Sequence, residues 1–146
     1  MDTALVTGAN GFIGSHLSTA LVEKGIFVYA LQRSAKSNNV KYNKYVEEGK
    51  IKVLRGDVTT LNTEELPKVN YVFHIAGKVS VWGKLKDFLK VNLGGTAKLL
   101  DYAKTCPLKN FTYLSSVAVY GFYGYKNIKE DGEMKPFKNP YSLSKL

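Results

Sequence analysis

Near the end of this 146-residue sequence, Tyr141 and Lys145 stand four residues apart in Tyr141-Ser142-Leu143-Ser144-Lys145. On a helix that spacing puts both side chains on one face. A lysine cation beside a phenol lowers its pKa and makes it a usable acid or base. At the other end, Thr7-Gly8-Ala9-Asn10-Gly11-Phe12-Ile13-Gly14 joins an apolar run to a helical pattern. That context gives a glycine motif its meaning. Gly8 permits a sharp turn, Gly11 lets a pyrophosphate approach bare backbone, and Gly14 is expected to let the helix pack close to the sheet. Amides around Phe12 and Ile13 then face an anion at a helix N-terminus. The spacing is G-x-x-G-x-x-G rather than the commoner G-x-G-x-x-G, and no G-K-[ST] follows to make it a P-loop. A glycine-rich turn without a ligand is the plain alternative.

The end of the second apolar run chooses between dinucleotides. An acidic residue there would bind the adenosine ribose and repel a 2′-phosphate. Here Gln32 takes the acidic place, followed by Arg33 and Ser34. Arg33 can pair with phosphate and stack on adenine, which favours NADP over NAD; the alternative is an ordinary surface charge. Asp57 could accept the adenine amino group while the Val58 backbone meets the ring, although an Asp in that place is also a common helix cap.

The elements that must position these groups alternate along the chain. Apolar, β-rich runs fall at 3–7, 26–31, 51–57, 71–76 and 111–116. Between them lie helical patterns at 11–24, 41–49 and 85–104, with one helical turn at 62–66. Residues 117–138 read as a Gly-, Tyr- and Lys-rich loop, and Pro140 opens a last helix. Strands that are continuously apolar predict a parallel sheet covered on both faces. The fold class expected is therefore α/β, a doubly wound parallel sheet or Rossmann fold.

Hydrophobic residues make up 45% and charged residues 23%, as in a globular protein with a real core. No apolar run approaches the roughly 20 residues of a membrane helix. The N-terminus lacks a signal-peptide pattern, so a cytosolic (cytoplasmic) protein without a membrane partner is expected. One cysteine, Cys106, permits no internal disulfide, and two histidines are too few for a zinc site; no metal is expected. The net charge is +9, carried almost wholly by lysine, since Arg33 and Arg55 are the sole arginines. The lysines are scattered, which fits a solvated surface rather than a nucleic-acid patch. A basic balance also suits anionic ligands such as phosphates.

Taken in order, "TGANGFIG" (7–14), "GDV" (56–58), "HIAG" (74–77), "VNLGGT" (91–96), "LSSVAVYG" (114–121) and "YSLSK" (141–145) resemble the extended short-chain dehydrogenase/reductase superfamily, the NAD(P)-dependent epimerase/dehydratase type. The resemblance spans nearly the whole chain. It implies a catalytic set of Ser116, Tyr141 and Lys145, with Asn92 holding a water in a proton relay. Tyr141 would exchange a proton with the substrate oxygen, Lys145 would supply charge and contact the nicotinamide ribose, and Ser116 would hydrogen-bond the substrate. The cofactor site so implied comprises Gly8, Asn10, Gly11, Phe12, Ile13, Gly14, Arg33, Ser34, Asp57, Val58, Ala76, Gly77, Tyr141 and Lys145.

Within that superfamily, "VFHIAGKVSVWG" and "VYGFYGY" look most like the 3β-hydroxysteroid dehydrogenase and dihydroflavonol-reductase-like group. That group interconverts alcohols and ketones. Trp82, Phe122, Tyr123 and Tyr125 would then sit near the pocket mouth, or else cover the core edge. A nucleotide-sugar epimerase or dehydratase is the alternative function, and a non-catalytic dinucleotide-binding module a third. The resemblance further implies that the chain is the cofactor-binding domain alone, cut before the last strands and the substrate domain. By itself it is expected to be inactive, with Lys145 at a frayed end and an exposed sheet edge that invites self-association.

Overall fold

A computed structural model describes residues 1–34, 37–80, 82–121 and 126–146. Five strands are present: β1 (Thr3–Thr7), β2 (Phe27–Gln32), β3 (Ile51–Arg55), β4 (Tyr71–His74) and β5 (Asn110–Tyr113). Helices α1 (Phe12–Glu23) and α2 (Val40–Glu47) lie between the first three strands. After β4, α3 (Leu85–Phe88), a π turn (Leu89–Gly94) and α4 (Gly95–Ala103) run as one helix. The short α5 (Pro140–Ser144) follows β5 and a 3-10 turn (Val117–Tyr120).

The strand order is β3-β2-β1-β4-β5 and every pairing is parallel. The chain winds outward from β1 first to one side and then to the other. The gap between the loops after β1 and β4 is therefore the switch point where ligands bind in such sheets.

The apolar continuity of the inner strands has a direct cause. Successive strand residues point to opposite faces. Ala4 and Val6 of β1, with Val28 and Ala30 of β2, join Leu21 of α1 and Tyr42 of α2 in one core. Leu5, Leu31 and Val72 enter a second core on the other face, against Leu99 and Tyr102 of α4. Both faces are covered, so both alternating sets must be apolar. β5 departs from the expected pattern: it pairs with β4, its residues are exposed or half-buried, and it ends at Tyr113 rather than at residue 116. Among the described residues no helix is long and apolar enough to cross a membrane.

Candidate active site

Thr7 ends β1 and the glycine loop turns immediately. Gly8 has φ +65°, and a Cβ there would lie 3.1 Å from the backbone of Ala76, two residues beyond β4. Gly8 is thus the residue that allows β4 to approach. Gly14 has a different role from the one expected of it. A Cβ on Gly14 would stand 2.2 Å from Gly8 O and 2.9 Å from Ala9 Cα. Its bareness lets α1 pass under the loop's own backbone, rather than letting α1 reach the sheet. The first bond of α1 runs from Ser15 N–H to Gly11 O at 2.9 Å. Gly11, the N-cap, offers no side-chain cap, and the first turn holds no acid. The amides of Phe12, Ile13 and Gly14 therefore present the positive end of the helix. They border a cleft of about 690 Å³ that also touches Asn10, Arg33, Ser34, Asp57, Val58, Ala76 and Gly77.

At the β2 end of the cleft, Gln32 is not a stand-in for the expected acid. It is 2% exposed. Its Oε1 accepts from the Tyr42 hydroxyl and its Nε2 donates to Ser34 O at 2.9 Å. Burial pushes the Tyr42 phenol up to about 12, so it remains a donor. Gln32 is a strap on the loop, and Arg33 and Ser34 are what the loop offers outward. Arg33 is 81% exposed along its side chain, with Nη1 3.6 Å from Asp57 Oδ2. Asn10 donates to the Ser34 hydroxyl, joining the glycine loop to this segment. Asp57 Oδ1 accepts from the Thr59 amide at 2.9 Å and its hydroxyl at 2.8 Å. Those bonds, and more weakly Arg33, hold the Asp57 carboxyl below its ordinary range. Val58 lies beneath α4, where a Cβ on Gly95 would come within 2.8 Å of it.

Of the other expected residues, Asn92, Ser116, Tyr141 and Lys145 do not line this cleft; Lys145 lies against Gly77 and Leu114, which do. Asn139 caps α5, accepting from Ser142 N–H at 2.9 Å. Tyr141 is half-buried. Lys145 does not fray. It is 5% exposed, with Nζ donating to Leu114 O at 2.9 Å and standing 4.8 Å from the Tyr113 ring centroid. Burial lowers its pKa. Ser116 lies beyond β5, not at its end, and caps the following 3-10 turn by accepting from Ala118 N–H at 3.2 Å. Its own proton stays available for donation. The neighbouring Ser115 instead donates to Lys145 O at 3.3 Å.

Asn92 sits in the π turn, which the helical spacing of residues 85–104 did not announce. Its Oδ1 accepts from Lys78 N–H at 2.7 Å. Its Nδ2 donates to Lys78 O at 3.1 Å and to Ser144 Oγ at 2.8 Å. The Thr96 hydroxyl donates to Asn92 O. Asn92 is thereby a brace among three segments.

His74 is a further residue to which the sequence assigned no role. It is fully buried, its Nδ1 2.8 Å from Thr7 Oγ1 and its Nε2 3.0 Å from Thr96 Oγ1. Thr7 Oγ1 accepts from Ala76 N–H and Thr96 Oγ1 donates to Asn92 O. Each hydroxyl can then satisfy one side of a neutral ring: Thr7 donates to Nδ1 and Nε2–H donates to Thr96. Burial, then the charge of Lys145, pushes His74 down to about 4. The histidine of "HIAG" was visible, but nothing local marks it as the link between β1 and α4. Trp82 is 84% exposed and is not part of the cleft lining. Phe122, Tyr123 and Tyr125 lie outside the described residues. Among the described residues no group of His, Cys, Asp and Glu could hold a metal ion.

Comparison with known proteins accords with this geometry. Residues 4–146 match the family described as NAD dependent epimerase/dehydratase. A UDP-glucose 4-epimerase of Haemophilus influenzae is 32% identical over 152 residues, covering 97% of this chain and 44% of that protein. A UDP-glucuronic acid 4-epimerase from Bacillus cereus, solved with NAD, is 28% identical with a TM-score of 0.81, over 98% of this chain and 48% of that one. A UDP-N-acetylglucosamine 4-epimerase from Methanobrevibacter ruminantium, solved with UDP-N-acetylmuramic acid, reaches a TM-score of 0.85 at 27% identity, over 99% and 47%. The chain spans less than half the length of each. These relatives offer no counterpart for the narrower resemblance to the 3β-hydroxysteroid dehydrogenase group, and the dinucleotide named in the Bacillus complex is NAD.

Proposed function

Because the chain belongs to the NAD dependent epimerase/dehydratase family, we propose that residues 1–146 form the dinucleotide-binding domain of an enzyme acting on a hydroxyl-bearing carbon of a nucleotide sugar. The solved relatives named for UDP-sugars support that substrate class over a free alcohol or ketone. One observation carries the reading. The uncapped start of α1 borders the cleft, and the buried ammonium of Lys145 lies directly behind two of its lining residues, Gly77 and Leu114.

The residues fit a dinucleotide. Gly8 and Gly14 keep the loop open to a pyrophosphate, and the α1 amides supply donors for it. Asp57, Val58, Arg33 and Ser34 would hold the adenosine half. Ala76, Gly77, Tyr141 and Lys145 would hold the nicotinamide half. The absence of a carboxylate at Gln32, with Arg33 turned outward, supports acceptance of NADP as well as NAD. When bound, the cofactor supplies a hydride acceptor or donor.

Tyr141 takes the proton from the sugar hydroxyl as the carbon–hydrogen bond breaks, and returns it in the reverse direction. Lys145 stabilises the phenolate charge and Ser116 donates to the substrate oxygen. Asn92 holds the frame around them: both protons of its amide are committed to Lys78 and Ser144, and its Oδ1, which accepts from Lys78 N–H, keeps a second lone pair for a relay water.

The test is hydride transfer by the full-length protein, using UDP-glucose and UDP-glucuronic acid as probes, against Tyr141→Phe. Phe keeps the ring and removes the proton, so kcat should fall by roughly 10²–10⁴ with NADH affinity nearly unchanged. Tyr141→Phe with most of the wild-type kcat would remove Tyr141 from the mechanism.

A further inference from the structure

Lys145 poses a physical problem that the catalytic assignment does not answer. An ammonium 5% exposed is costly unless something compensates its lost water. Among the described residues no carboxylate forms an ion pair with it. What faces it is the Leu114 carbonyl at 2.9 Å and the ring of Tyr113, whose centroid is 4.8 Å from Nζ. That distance is well inside the range over which a desolvated cation is attracted to an aromatic face.

The ring is itself fixed. Tyr113 is the last residue of β5 and lies in register with His74 of β4. The two rings are 5.7 Å apart and inclined by 38°. His74, held between Thr7 and Thr96, contributes no charge at neutral pH. Tyr113 therefore touches both a neutral imidazole and an ammonium. On the far side the ammonium meets the bare backbone of Gly77, where a Cβ would come within 3.1 Å of Nζ and 3.2 Å of Asn92 Oδ1. Among the described residues, the titratable groups that meet Lys145 are His74 on β4 and Tyr113 on β5; Tyr141 on α5 acts on Tyr113, and the π turn contributes the neutral amide of Asn92.

We propose that Tyr113 is a positioning residue for the reaction: its aromatic face keeps the Lys145 ammonium charged and aimed past Gly77 into the cleft. This rests on the reading that Tyr141 and Lys145 work as an acid–base pair. The ring acts through its π face, so its hydroxyl is dispensable. An opposing carboxylate would have neutralised the lysine and weakened its pull on the Tyr141 phenol. A π face holds the cation without cancelling its charge.

The deciding experiment titrates Lys145 directly in the full-length protein. Competitive labelling with acetic anhydride across pH, read by peptide mass spectrometry, gives its midpoint without any substrate. Tyr113→Phe should leave the midpoint unchanged. Phenylalanines carrying one, two or three ring fluorines at position 113 keep the shape but drain the face of negative charge. Across that series the midpoint should fall stepwise, by about one pH unit in all, because the charged form loses its attraction. The alkaline limb of kcat for UDP-glucose should move down in parallel. A flat midpoint across the fluorinated series overturns the proposal, as does a shift already complete in Tyr113→Phe, which would assign the effect to the hydroxyl. Tyr141→Phe distinguishes the two levels: if it keeps wild-type hydride transfer, the functional reading fails while the labelling result stands on its own.

Discussion

Asn92 grips both main-chain groups of Lys78, accepting from its N–H at 2.7 Å and donating to its C=O at 3.1 Å. A side-chain amide is the one neutral group that can imitate a strand partner in this way. The same Nδ2 reaches Ser144 Oγ at 2.8 Å, and Ser144 donates in turn to Tyr141 O at 2.8 Å. The segment after β4, the π turn and α5 are thereby held in fixed relation.

Asn92→Ala should strand the main-chain polar groups of Lys78, while the hydroxyl of Ser144 loses one bond and keeps the one it donates to Tyr141 O. Each buried group left without a partner costs about 1–3 kcal/mol. Thermal unfolding should show a clear loss of stability, and kcat should fall with it because α5 loses its brace. A variant with unchanged Tm would mean that water replaces the amide at no cost.

Two glycines make a matched pair. Gly14→Ala puts a Cβ 2.2 Å from Gly8 O, and backbone on both sides of the contact leaves little room to yield. NADH affinity, measured by fluorescence titration, should drop at least tenfold, or about 1.4 kcal/mol. Gly94→Ala meets nothing nearer than Leu89 O at 3.7 Å. It should bind NADH normally and gain about 0.5–1 kcal/mol, the ordinary cost of glycine within a helix.

Arg33→Ala addresses cofactor preference. The guanidinium is exposed and 3.6 Å from Asp57, close enough to be drawn toward that carboxylate and open enough to meet a 2′-phosphate. Its removal should weaken NADPH binding by about 1.5–3 kcal/mol, the range for a charged hydrogen bond, and leave NADH binding nearly unaltered. Equal losses for both cofactors, or none, would sink the assignment.

The stability of the fold should depend on pH through His74. Its folded pKa, about 4, lies below the ordinary 6.5. The neutral ring is favoured in the fold, so its contribution is complete above the ordinary value. It drains away as pH falls through the window between the two, and is gone below about 4. The size is on the order of 3 kcal/mol. Wild-type Tm should therefore decline between pH 7 and 4.5 more steeply than that of His74→Gln, which has no proton to gain. Parallel declines would show that carboxylates alone govern the acid limb.

Part of this protein was legible in its residues. The order of strands and helices and the glycine turn are local matters. Apolar runs such as "TALVT" and "IFVYAL" are continuous because the inner sheet is buried on both faces; the apolar spacing after Gly11 announced α1 but not its buried face, which is Gly14, Ser15, Ser18, Thr19 and Leu21, while Phe12 and Ile13 are exposed. The helix start at Pro140, with Tyr141 inside it and Lys145 at its C-cap, was legible because capping and helical spacing are local. What tertiary structure decided involves partners remote in sequence. Gln32 could be read only as the residue standing where an acid was expected; its tie to the Tyr42 hydroxyl, which holds the loop, was not visible. Lys145 looked frayed because it is near the end of the chain, yet it donates to a carbonyl 31 residues away. The π turn at Asn92 looked like ordinary helix, since its side-chain partners lie 14 and 52 residues distant. Gly14 is bare because the chain doubles back under Gly8, a requirement visible only once the loop is closed. Periodicity carries no information about which buried polar group meets which, and that pairing is what seats Lys145 against Leu114 and Gly77.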